Sequence, residues 1–75
     1  MEHNLIMRLQ NINSKDVVKI LEKNGFVVTR QKGTHVIMKN NGNVVVVPVH
    51  HKTMPIGTLK SIEKQSGVNF RELQE

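Results

Sequence analysis

Apolar residues recur along this chain with two different periods. Val17, Ile20 and Leu21, with Val18 beside them, fall at helical spacing. Asn13-Ser14 ahead of them reads as an N-cap, with Asp16 in the first turn where the helix dipole favours an acid. The spacing predicts a helix from about Lys15 to Asn24. Gly25 suits the left-handed residue that closes a helix, and Phe26 can fold back onto the last turn. From Phe26 to Val49 the pattern changes to short β-branched runs, Phe26 to Gln31, Thr34 to Lys39 and Asn43 to Val49, which predict three strands. Lys32-Gly33 and Asn41-Gly42 fit two-residue hairpin turns, the second as type I′ because both residues tolerate positive φ.

Symmetric pairing across those turns sets Arg30 opposite His35, Val28 opposite Ile37, Ile37 opposite Val46 and His35 opposite Pro48. Parity then assigns Val27, Thr29, Val36, Met38, Val45, Val47 and Val49 to a core face. The other face carries Arg30, His35 and Lys39 around Val28, Ile37, Val44 and Val46, an aliphatic patch beside a basic edge that a lone monomer has little reason to expose.

After a polar connection from His50 to Pro55, Ile56, Leu59 and Ile62 form the stripe of a second helix that ends at Gly67. Asn69 with Glu72 resembles a capping box for a short C-terminal helix from Phe70 to about Gln74. Residues 1–13 show no decisive period and read as an N-terminal arm that is packed, helical or flexible. Residues 14–75 read as a single α+β domain, α-β-β-β-α with a three-stranded antiparallel sheet and both helices on one face.

Composition narrows the function. With 75 residues and only two Phe as aromatics, the core is small and aliphatic, so function belongs on the surface rather than in a deep cavity. The absence of Cys excludes disulfides and thiolate metal sites. The longest apolar run, Val44 to Val49, is far short of a membrane span, and no signal peptide opens the chain, so the expectation is a soluble cytoplasmic protein without membrane contact. The formal charge is +5, and it is unevenly spread: between Glu22 and Glu63 there is no acid, while Lys23, Arg30, Lys32, Lys39, Lys52 and Lys60 stand there with His35, His50 and His51. Such a segment is a footprint for phosphates, nucleic acid or an acidic protein, although a solvated basic face explains a charge run equally well.

His35 is the most informative residue. It follows the tight Lys32-Gly33 turn and is expected on the open face among cations. An imidazole can take or give a proton at neutral pH, and adjacent Arg or Lys can hold a phosphate. On RNA this suggests removal of the 2′-hydroxyl proton and attack on the neighbouring phosphorus, with no cofactor. Judged alone, the same histidine is explained as a polar residue on a strand rim. His50 and His51 lie near the strand-three exit, and in an extended segment at most one of them faces the site. The three histidines lack the partners of a metal site. Gly33 and Thr34 at the hairpin tip, with Lys52 and Lys60 outside it, complete the candidate phosphate contacts.

Four segments in register resemble the HicA family of bacterial toxin mRNA interferases: Leu21-Glu22-Lys23-Asn24-Gly25-Phe26, Arg30-Gln31-Lys32-Gly33-Thr34-His35, Val47-Pro48-Val49-His50 and Gly57-Thr58-Leu59-Lys60-Ser61-Ile62. The resemblance implies a fold similar to the double-stranded-RNA-binding domain, cleavage of mRNA, and neutralisation by a HicB-type antitoxin that covers the active histidine. The family's Gly-Ser-His motif falls on Gly33, Thr34 and His35, with Thr for Ser keeping the hydroxyl. His35 is then the catalytic residue, and Arg30, Lys32, Gly33, Thr34, Lys39, His50, Lys52 and Lys60 are RNA contacts. The antitoxin is expected on Val28, Arg30, Lys32, His35, Ile37, Lys39 and Val46. The competing readings are a non-catalytic RNA-binding module of the same fold and an interaction domain for an acidic partner.

Overall fold

The computed structural model describes residues 12–70 of the chain. The order is α1 (Ser14–Lys23), β1 (Val27–Lys32), β2 (His35–Asn40), β3 (Asn43–Pro48) and α2 (Ile56–Ser66), with the antiparallel sheet ordered β1-β2-β3. This is the expected α-β-β-β-α architecture. Helix α1 begins with a reciprocal cap: Asp16 N–H donates to Asn13 Oδ1 at 2.8 Å, and Asn13 N–H donates to Asp16 Oδ2 at 3.4 Å. It ends in a Schellman arrangement, with Phe26 N–H donating to Leu21 O and Gly25 N–H to Glu22 O around Gly25 at φ 91°. That closure turns Phe26 inward, where it is buried.

β2 and β3 follow the expected alternation. Val36, Met38, Val45 and Val47 are buried under the helices, against Val17 and Leu21 of α1 and Leu59 and Ile62 of α2. Ile37 opposes Val46 and His35 opposes Pro48, as the symmetric turn requires. Of the Asn41-Gly42 pair only Asn41 takes positive φ, at 55°, so the turn departs from type I′.

β1 departs from its expected register in two places. The first turn is Gly33-Thr34 rather than Lys32-Gly33, because glycine at φ 59° fills the first central position of the turn, the place a type II′ geometry gives it. Lys32, not Arg30, therefore opposes His35, and Arg30 opposes Ile37. A bulge between Val28 and Arg30 then absorbs Thr29, whose hydroxyl donates to Ile37 O at 3.1 Å. Val28 consequently opposes Met38 on the helix-side row, and Val27 opposes Lys39 on the open row, which reverses the two expected assignments. Both valines are exposed, because the helices pack chiefly over β3 and leave β1 as an uncovered margin.

The polar connection before α2 hides one anchor. Met54 is buried and its N–H donates to Ile12 O at 2.8 Å, while Ile56, expected in the core, is 40% exposed at the start of the helix. Ile12 is itself buried. Phe70 is helical and fully buried, and its N–H donates to Glu63 Oε2 at 3.0 Å; the rest of the expected terminal helix, like most of the arm, lies outside the described residues.

Two glycine substitutions separate backbone geometry from space. Gly25→Ala is expected to cost about 1–2 kcal/mol, since φ is left-handed and the new Cβ meets the Asn40 side chain at 3.2 Å. Gly57→Ala, in the first turn of α2 with nothing within 4 Å of the new Cβ, is expected to be neutral or to stabilise by up to about 1 kcal/mol. Urea denaturation of both variants checks the contrast.

Candidate nucleic-acid interface

The open face of the sheet is built from the row of β2 that points away from the helices. His35, Ile37 and Lys39 lie along it, joined across strands by Lys32, Arg30 and Val27 from β1 and by Pro48, Val46 and Val44 from β3. Apart from Ile37 and Pro48, which are half-buried, these residues are exposed. The result is an aliphatic strip of Val27, Ile37, Val44 and Val46 rimmed by three cations and one imidazole.

His35 stands at the hairpin end of this row. Thr34 Oγ1 lies 3.3 Å from His35 Nδ1, and Thr34 O accepts from Val49 N–H at 2.8 Å. The tip is thereby tied to the β3 exit, and Gln31 Nε2 closes it with a donation to Gly33 O at 3.4 Å. A hydroxyl beside Nδ1 can fix the ring so that Nε2 is directed at an incoming group. Gly33 has open space around its missing side chain, so the residue is required by the turn's positive φ and not by crowding.

Lys32 is the cross-strand neighbour of His35, and Arg30 follows beside Ile37. Lys39 is four residues along β2, roughly 13 Å away at the strand rise, so it reaches a different part of an extended ligand. Lys60 is not brought to this face: it borders a shallow depression on α2 with Gly67, Val68 and Asn69. Val28 also leaves it, through the bulge.

His50, His51 and Lys52 gather beyond the end of β3. His50 and His51 stack with centroids 4.7 Å apart and planes at 26°, and both line one cleft. The alternation of an extended segment does not apply to them, because β3 ends at Pro48. His51 N–H is held by Ser14 Oγ at 3.2 Å, and Ser14 N–H donates to His51 O at 3.1 Å. The Ser14 hydroxyl also donates to Pro48 O at 2.6 Å. Sequence reasoning overlooked Ser14, whose position just after the N-cap carried no signal for a contact so distant along the chain.

Among the described residues, no cluster of three or more histidine and carboxylate side chains is placed to hold a metal ion, and no helix is long and apolar enough to cross a membrane. A family model described as the HicA toxin of bacterial toxin-antitoxin systems matches residues 14–68. No curated protein matches the chain significantly.

Ser14→Ala leaves a part-buried carbonyl and an amide without their shared partner and is expected to cost about 1–3 kcal/mol, measured by urea denaturation. An unchanged midpoint would show that water replaces the hydroxyl without loss.

Proposed function

The chain belongs to the HicA family of toxins from bacterial toxin–antitoxin systems, and from that premise we propose that it is a metal-independent endoribonuclease that cleaves mRNA in the cytoplasm. The observation that carries this reading is the setting of His35: exposed on an open sheet face, with Thr34 Oγ1 at its Nδ1 and Lys32 as its cross-strand neighbour. An enclosed pocket is not needed for a nucleophile that the substrate carries itself.

In this mechanism Nδ1–H donates to the Thr34 hydroxyl, leaving Nε2 free to accept the 2′-hydroxyl proton. The 2′-oxygen attacks the adjacent phosphorus as the bond to the 5′-oxygen breaks, and the leaving oxygen takes up the proton that the His35 imidazolium gained from the 2′-hydroxyl. The products are a 2′,3′-cyclic phosphate and a 5′-hydroxyl end. Lys32 and Arg30 offset the charge that develops on the phosphorane, while Lys39, farther along the row, holds a neighbouring nucleotide. Thr34 is a positioning residue.

Membership in the family implies a cognate antitoxin. A HicB-type protein fits the open face, its acidic groups paired with Arg30, Lys32 and Lys39 and its apolar residues on Ile37, Val46 and Val27, which takes the place expected for Val28.

His35→Ala is expected to lower RNA cleavage by about 10²-fold or more. Equal degradation by the variant and the parent would assign the activity elsewhere, and RNA bound but uncut by the parent would make the domain a binding module. Thr34→Val is expected to lower kcat about tenfold with KM little changed, the worth of one hydrogen bond, and Thr34→Ser to restore it. For the antitoxin, Val27→Glu is expected to weaken binding in calorimetry and Val28→Glu to leave it near the parent's. The reverse order would place the partner on the helix side.

A further inference from the structure

Where β3 ends, a second concentration of positive charge lies apart from the His35 row. A cleft of about 290 Å³ opens between the first turn of α1 and the segment 49–52. Lys15, His50, His51 and Lys52 line it, and no carboxylate does. The nearest acid in sequence, Asp16, is turned onto the backbone N–H of Asn13 by the helix cap. The amides of Ser14 and Asp16 at the same helix end are already bonded, to His51 O and to the Asn13 side chain, so neither is free for an anion.

A recess lined by one sign of charge focuses its field and concentrates counter-ions. The two stacked imidazoles line the recess together with Lys15 of α1 and Lys52 of the loop. The walls are held by Ser14, which fastens the helix start to Pro48 O and to the His51 backbone. The cleft begins where the strand paired with His35 ends: Pro48 is the cross-strand partner of His35, and the next two residues, Val49 and His50, line the cleft.

We propose that this cleft is a phosphate subsite for the RNA strand, holding a backbone phosphate that flanks the one at His35. The inference rests on the ribonuclease reading and adds a path to it: the strand passes from the open face around the end of β3 to the first turn of α1. A polymer with one charge per monomer suits two basic loci separated by a short stretch of protein. Lys15, outside every earlier expectation, becomes an RNA contact, and His51 joins His50.

The test uses the full chain and a short fluorescent 2′-O-methyl oligouridylate, which has no 2′-hydroxyl and cannot be cut. Anisotropy is followed across a salt series for the parent, for Lys15→Glu/Lys52→Glu, and for Lys23→Glu/Lys64→Glu as a control of equal charge on exposed helix positions. The cleft variant is expected to lose at least tenfold more affinity than the control, with the slope of log K against log salt shallower by about 0.7, the value for one phosphate contact on a single strand. Lys15→Gln/Lys52→Gln, which leaves no new charge, is expected to lose affinity in the same direction, and circular dichroism checks that all variants fold. Equal losses in cleft and control variants overturn the proposal, because bulk charge then explains them. Unchanged RNA affinity with lost antitoxin binding overturns it as well and makes the cleft a protein contact. Cleavage of unmodified RNA by His35→Ala is scored separately: cleavage at the parent's rate fails the ribonuclease reading whatever the cleft does.

Discussion

The hydroxyl of Ser14 is the contact on which the arrangement of the functional surface depends. It donates to Pro48 O and accepts from His51 N–H, so one buried oxygen joins the start of α1, the last residue of β3 and the loop beyond. Pro48 is the cross-strand partner of His35, and Val49 N–H holds Thr34 O. The hairpin tip that carries the histidine is therefore fixed to a strand end that is itself fixed to a helix. A proline at that strand end has no N–H to give, but its carbonyl is available, and the serine takes it. In so small a protein, with few apolar side chains to spare, a satisfied buried polar contact supplies the specificity that packing alone would leave loose.

A second constraint is that two short helices cannot cover both faces of a sheet. They cover one face of β2 and β3, where the buried row is Val36, Met38, Val45 and Val47. The opposite row keeps Val44 and Val46 exposed, and β1 stands clear of the helices with all six residues exposed. The bulge at Thr29 has a consequence for that margin. By moving Val27 to the open row and Val28 off it, it preserves a continuous aliphatic strip next to Arg30 and Lys32 while shifting the strip's edge by one residue. Which valine stands on the open row is thus decided by a backbone irregularity and not by hydrophobicity.

Much of this was legible in the residues. The β2–β3 pairing follows from the two-residue Asn41-Gly42 turn, since β3 is itself a run of four valines with no alternation to fix its register. The caps of α1 are equally explicit in Asn13, Asp16 and Gly25. The β1 register was not legible, because Lys32-Gly33 and Gly33-Thr34 are both acceptable two-residue turns and β1 has no buried row to choose between them. A bulge centred on threonine carries no signal, since threonine is an ordinary strand residue. Met54 and Ile56 exchanged places in the core for a related reason: helical spacing identifies a stripe but not which end of it projects past the sheet. The stacked His50 and His51 were beyond parity arguments once β3 had ended.

The exposure of the site has a bearing on how such a protein is controlled. A catalytic group in a pocket can be regulated by a lid, but His35 lies on a surface with nothing in the chain positioned to close over it among the described residues. Any polyanion that reaches the open face meets the histidine directly. On the proposed reading, restraint comes from a second molecule that competes with RNA for the same ground, so it needs both acidic groups for the cations and apolar area for the strip. The aliphatic strip is what separates the two ligands: an RNA backbone gains little from valine and isoleucine, whereas a protein partner gains roughly 25 cal/mol for each Å² of apolar surface removed from water. On that reading the same face admits RNA by charge and is sealed by a protein through charge and burial together.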